Sequence, residues 1–212
     1  MGKQPDELLR DGLLELGIAF SEDHVNSFMT YLTELKKWNK TYNLTGLKED
    51  EDIIIKHFLD SLLYLKVIPG GEIKVADVGS GAGFPGIPIK IIRPEIEMYL
   101  IEPSGKKAAF LRHITGTLRI EKIEVIEKRI EDLGKGQESF LSVDIAVTRA
   151  LFSIKDFVKK SSHIVRQGGI LVISKGPKVK EELKKLKDIK CEVLTFSLPL
   201  SDIKRYIVSC NN

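Results

Sequence analysis

Four glycines fall within eight residues at Gly79, Gly81, Gly83 and Gly86, just after the apolar run Val75-Ala76-Asp77-Val78 and at the start of a helical pattern near Pro85. Glycine in a strand-to-helix turn lets the backbone approach a ligand closely, and the first N–H groups of the helix face that ligand. A dinucleotide fingerprint would place its third glycine at position 84, where this chain has Phe84. Glu102 ends the next apolar run about 20 residues later, where a carboxylate can accept hydrogen bonds from both hydroxyls of an adenosine ribose. A tight turn or a surface glutamate would explain either feature alone. In register, they point to an adenosine-type ligand.

Two further segments fall where such a site would have its edges: Arg129-Ile130-Glu131-Asp132 and Thr148-Arg149-Ala150. A cation at the C-terminal end of a strand seldom serves packing alone. Arg149 is therefore read as binding a ligand carboxylate or a nucleic-acid phosphate, with a structural salt bridge as the alternative. Upstream, residues 53–65 laid out at about 100° per residue put Lys56, His57, Asp60, Ser61 and Tyr64 within one arc of about 140°. Ile54, Ile55, Phe58, Leu59, Leu62 and Leu63 take the other side, and Ile53 breaks the pattern. A solvated helix face would give the same wheel, but such a face favours Lys and Glu over residues that bond as specifically as His, Asp, Ser and Tyr.

The elements that must position these residues form two kinds of pattern. Before Pro69-Gly70-Gly71 the pattern is helical: a weaker helix over 5–16, then Val25, Phe28, Met29, Leu32 and Leu35 at helical spacing. Ser21 is placed to cap that second helix, with Phe20 and Val25 as a hydrophobic staple. After the joint, apolar strands at 74–78, 98–101, 124–126, 144–147, 170–174, 192–196 and 205–209 alternate with helices at 87–92, 106–118, 154–166 and 180–186. This alternation predicts an α/β fold, a mostly parallel seven-stranded sheet with helices on both faces. The last two strands have no helix between them and are expected to form a hairpin, with one antiparallel strand at or near the edge. The expected organisation is a helical extension over 1–70 and a Rossmann-like domain over 71–212, together one compact unit.

Composition narrows the class. With 212 residues, 42% of them hydrophobic, the chain can bury one sizeable core. Its longest apolar runs are far short of the roughly 18 residues of a membrane span. The N-terminus lacks a signal-peptide core, Asp6 spoils a myristoylation pattern and Cys210 sits one place too late for prenylation, so the expected compartment is the cytoplasm. Cys191 and Cys210 form no CxxC and have no metal-ligand spacing to the four histidines, so neither a metal site nor a disulfide is expected. Net charge is +3, but residues 155–190 hold eleven Lys/Arg against four acids, a net of +7 that leaves −4 for the rest. Such a segment is either a polyanion-binding face or a solvated helix face.

The spacing Gly79-x-Gly81-x-Gly83 with Asp77 before it resembles motif I of class I S-adenosylmethionine-dependent methyltransferases. The segment 144–150 lacks the Asn/Asp-Pro-Pro-aromatic loop often used on exocyclic amines. The two cysteines lie in the last strands, away from where a carbon-5 pyrimidine methylation nucleophile would stand. An acceptor with its own lone pair, such as guanine N7, needs neither device. The set YNLTG (42–46), HFLDSL (57–62), DVGSGAGFPGIPI (77–89), SGKKAAFLR (104–112), TRA (148–150) and SKGP (174–177) is similar to that of the bacterial small-subunit ribosomal RNA guanine-N7 methyltransferases, formerly called glucose-inhibited division protein B. The likeness runs from about residue 32 to 177.

That resemblance implies methyl transfer from S-adenosylmethionine to N7 of one guanine in 16S rRNA of the small subunit, leaving S-adenosylhomocysteine. It assigns cofactor positions to Gly79, Gly81, Phe84, Glu102, Ile130, Glu131 and Arg149, and contacts with RNA or the target base to Asn43, His57, Asp60 and Lys175. The target guanine is expected to unstack against His57, Tyr64 or Phe84. A monomer without metal is expected. Glu102 departs from the aspartate frequent in the family, and the lysine run after Pro177 has no family support. Two other readings stay open: a methyltransferase acting on a protein or small molecule, and a non-catalytic RNA-binding regulator.

Overall fold

The computed structural model describes residues 3–134, 141–149, 151–184, 186 and 189–212; Ala150 and, within the basic segment 155–190, Lys185, Lys187 and Asp188 lie outside the described residues. Helices α1 (Pro5–Glu15) and α2 (Glu22–Tyr42) come first. The α2 start is a reciprocal cap, in which Ser21 Oγ accepts from the His24 amide and His24 Nδ1 accepts from the Ser21 amide. Strands β1 (Lys74–Val78), β2 (Glu97–Ile101), β3 (Ile123–Ile126), β4 (Val143–Arg149), β5 (Val165–Lys175), β6 (Cys191–Ser197) and β7 (Lys204–Asn211) form one sheet in the order β3-β2-β1-β4-β5-β7-β6. Strands β1 to β5 pair in parallel, and β7 runs antiparallel to both β5 and β6. Helices α5 (Gly86–Ile92), α6 (Gly105–Thr117), α7 (Ile154–Ser161) and α8 (Val179–Leu183) lie between strands. The order reverses between β1 and β4, and ligands in open α/β sheets sit beyond the carboxyl ends of such strands.

Strand alternation decides which residue faces which layer. Val75, Ile145, Val147, Val172 and Ile207 point into a core shared with α1, α2 and the segment after it. Ala76, Val78, Ala146, Leu171, Ile173 and Val208 point the other way, against α7. By the same parity Arg149 and Arg205 turn toward the N-terminal helices, and Lys175 turns away from them.

Several expectations are corrected. Residues 53–65 are not one regular helix: a short α3 (Asp50–Ile53) passes into a π segment (Ile54–Leu59), α4 (Asp60–Leu62) and a 3-10 turn (Leu63–Lys66). The π segment breaks the 100° phase and the polar arc divides, with Lys56 and His57 only partly buried. Asp60, Ser61 and Tyr64 are buried. The helix expected over 154–166 stops at Ser161, and the one over 180–186 is α8. No disulfide was expected, yet Cys191 and Cys210 are bonded: the β6–β7 register puts them directly opposite, with Cα atoms 4.1 Å apart.

Candidate active site

The glycine loop closes the carboxyl end of β1. Its first amides, of Gly79 and Ser80, donate to the Ile101 carbonyl at the end of β2 (2.8 and 3.1 Å), which ties the loop to the neighbouring strand. Gly81 has φ of +60°, a left-handed conformation suited to glycine. In that conformation its amide donates to Glu102 Oε2 at 2.9 Å, while the Ser104 amide donates to Oε1 at 2.9 Å. Glu102 is 5% exposed, and its carboxylate, held by two backbone amides, keeps lone pairs for further donors. Gly86 begins α5, and a side chain there would meet Leu100 Cδ2 at 2.5 Å and Asp77 Oδ2 at 2.8 Å. Its amide donates to Asp77 Oδ2 at 2.9 Å, whereas Asp77 Oδ1 is buried with no hydrogen-bond partner among the described residues. Burial pushes the Asp77 carboxyl up to about 7, against the Gly86 hydrogen bond that favours the anion.

Phe84 is the hub that joins the loop to the N-terminal helices. His57 stacks on it at 4.4 Å with 19° between the planes, Tyr31 stacks at 5.4 Å, and the Arg149 guanidinium lies 5.0 Å from the ring centre. The Tyr31 hydroxyl donates to the Ala82 carbonyl, so α2 also holds the loop backbone. Arg149 donates to the Lys56 carbonyl at 3.1 Å and to His57 Nδ1 at 2.8 Å, and stands 3.6 Å from Asp60 Oδ2. Asp60, 3% exposed, also accepts from Arg205 Nε of β7 at 2.8 Å. At the far edge of its ring, His57 Nε2 is 2.7 Å from Thr45 Oγ1. Burial, then the Arg149 charge, lower the His57 imidazole to about 3. Histidine here is a neutral plate, not a base working near pH 7.

Of the residues expected at the site, Phe84, His57, Asp60 and Arg149 come together. Asp60, expected to contact RNA or the target base, is instead buried between Arg149 and Arg205. Tyr64 is corrected as a stacking partner for the base: it is fully buried, donates to the Thr148 carbonyl and accepts from the Ser174 amide at 3.0 Å. Ile130 is buried in the second core, and Glu131 beside it pairs with Lys160 of α7, whose hydrogen bond lowers the Glu131 carboxyl below its usual range. Asn43 is exposed, in left-handed conformation at the end of α2, and leads into the loop that carries Thr45. Lys175 donates to the Phe152 carbonyl and pairs with Glu182 at 3.2 Å. Lys155, Lys159, Lys178, Lys180 and Lys184 have no ion-pair partner among the described residues.

Sequence reasoning did not single out Tyr31, Thr45 or Arg205. Thr45 sits within the quoted YNLTG run, which could have flagged it. Nothing local marks Arg205, whose contact with Asp60 spans 145 residues.

The arrangement offers acceptors and backbone amides for a nucleoside at the β1 and β2 ends, and a stacked aromatic and cationic wall beside them. Among the described residues no cluster of three His, Cys, Asp or Glu side chains stands ready for a metal, and no helix is long and apolar enough to cross a membrane. Solved structures share the fold. The chain matches a SAM-dependent methyltransferase from Aquifex aeolicus with TM-score 0.57 at 16% identity, covering 80% of this chain and 97% of that one. It matches TYW2 of M. jannaschii, solved with AdoMet, with TM-score 0.51 at 15% identity over 72% and 74%. Curated relatives are nearer. "Ribosomal RNA small subunit methyltransferase G" of Caldanaerobacter subterraneus is 41% identical, covering 98% of this chain and 90% of the relative. The protein of that name from Neisseria gonorrhoeae is 36% identical over 95% and 96%. Residues 24–201 match the family described as rRNA small subunit methyltransferase G, or GidB, and the chain belongs to that family.

Proposed function

We propose that the protein transfers a methyl group from S-adenosylmethionine to N7 of one guanine in 16S rRNA of the small ribosomal subunit, acting as a monomer in the cytoplasm. The observation that carries this reading is the junction of the glycine loop with Phe84, His57 and Arg149, in a chain of this family. The residues fit the cofactor: Glu102 is a buried carboxylate aimed at the loop with acceptor capacity to spare, as ribose hydroxyls require. On this reading Gly79, Gly81, Glu102, Ile130 and Glu131 hold the nucleoside. Phe84 and Arg149 border the methionine end, and Asn43, His57 and Lys175 face the RNA.

When bound, S-adenosylmethionine supplies a methyl already activated by its sulfonium. The protein then needs neither a metal nor a general base, and its task is alignment and charge placement. His57, neutral and stacked on Phe84, is a flat wall against which a splayed purine can rest. Lys178, Lys180 and Lys184, just past the end of β5, supply cations for the RNA backbone. The test is calorimetric titration with S-adenosylmethionine, followed by incubation of the labelled cofactor with bare small subunits, total protein or total metabolites. Saturable binding and label in RNA alone are expected. Label only in protein or metabolites would move the acceptor elsewhere, and absent binding would leave a non-catalytic RNA-binding protein.

A further inference from the structure

Thr45 stands at the edge of the stacked wall, and its hydrogen bonding can be solved by donor counting. Arg149 has only donors, so the 2.8 Å contact with His57 Nδ1 requires that nitrogen to accept. A ring that accepts at Nδ1 carries its proton on Nε2, and it donates that proton to Thr45 Oγ1 at 2.7 Å. The Leu47 amide donates to the same oxygen at 3.2 Å. Both lone pairs of the hydroxyl are thereby used, and its own hydrogen has no acceptor among the described residues. The position is rigid: Asn39 Nδ2 donates to the Thr45 carbonyl and the Thr45 amide donates to Asn39 Oδ1, each at 2.9 Å. Thr45 is only partly buried.

We propose that the Thr45 hydroxyl donates to O6 of the target guanine and so selects guanine over adenine. This rests on the guanine-N7 reading above. The edge of guanine beside N7 presents two acceptors, N7 and O6, whereas adenine carries a donating amino group at position 6. N7 must keep its lone pair for the methyl, so a single donor on this side belongs to O6. A fixed donor meets an amino group badly, because two hydrogens then face each other and neither is satisfied.

The test pairs a protein change with a base change. Wild type, Thr45→Val and Thr45→Ser are each assayed on small-subunit rRNA with guanine, or with 2-aminopurine, which lacks O6, ligated at the methylated position. Thr45→Val should lower kcat/KM on guanine by about tenfold or more, and Thr45→Ser should restore most of it. On 2-aminopurine, wild type and Thr45→Val should differ by less than about twofold, because the contact is already gone. If Thr45 only held His57 in place, Thr45→Val would lose the same factor on both bases, and that result overturns the proposal. Wild type failing to methylate the guanine RNA at all would instead refute the functional reading on which it rests.

Discussion

Two buried titratable groups beside the glycine loop respond to pH in opposite directions. Asp77 has a folded pKa of about 7 against 3.8 in its ordinary setting, because burial penalises the anion more than the Gly86 hydrogen bond favours it. An acid raised in the folded state binds more protons there than when unfolded, so its contribution to stability falls as pH rises from about 4 to 7. Asp77→Asn removes that titration. Relative to wild type, the variant should gain roughly 2–4 kcal/mol between pH 4 and pH 8, read from urea unfolding at the two values. A constant difference across that range would refute the burial argument. His57 is the reverse case, a base lowered from 6.5 to about 3, so its contribution is full above 6.5 and is lost as pH falls toward 3. Nitrogen NMR of labelled protein should show His57 neutral, with the proton on Nε2, throughout pH 5–8. A midpoint near 6.5 would contradict the Arg149 hydrogen bond. The types at these positions were legible in the sequence, as was the pairing of Glu102 with the loop; the His57 protonation state was not, since it is set by burial in the folded chain and then by the charge of Arg149, 92 residues away.

Elements explain which side chains could be anticipated. The strands were legible because buried parallel strands read as short apolar runs, and β1 is found at 74–78 as expected. The segment after α2 was misread because a helical wheel assumes an unbroken α-helix, and the π segment shifts every later residue around the axis. Asp60 therefore turns inward, where β4 and β7 each deliver an arginine to it. This makes the β6–β7 hairpin a brace for the site. Arg205→Met should lower stability by about 1–3 kcal/mol, because among the described residues Asp60 then keeps only the longer contact with Arg149. Asp60→Asn should also destabilise, but the double variant should lose less than the two single losses combined, as measured by chemical denaturation. Strict additivity would mean that the pair is not coupled. The disulfide in the same hairpin was missed for a related reason: two cysteines 19 residues apart carry no sign that a register will set them opposite.

For the molecule as a whole, the glycine loop and the strand pattern indicated a class I methyltransferase fold, and family membership now stands on the match over residues 24–201. The helical N-terminal segment shares a core with one face of the sheet and delivers His57 and Thr45 to the edge of the glycine loop. Neither half holds that wall alone, which is why the wall was harder to read than the glycine loop with Glu102: its residues come from α2, the π segment, β4 and β7. Charge follows the same division, with Lys178, Lys180 and Lys184, which have no ion-pair partner among the described residues, lying just after β5. The central claim is that all of this serves one guanine. Its most direct test is mass mapping of methylated guanines in 16S rRNA from cells lacking the protein. A single missing N7-methylguanine, restored by wild type and not by Glu102→Ala, is the predicted result; an unchanged set of N7-methylguanines would contradict the account.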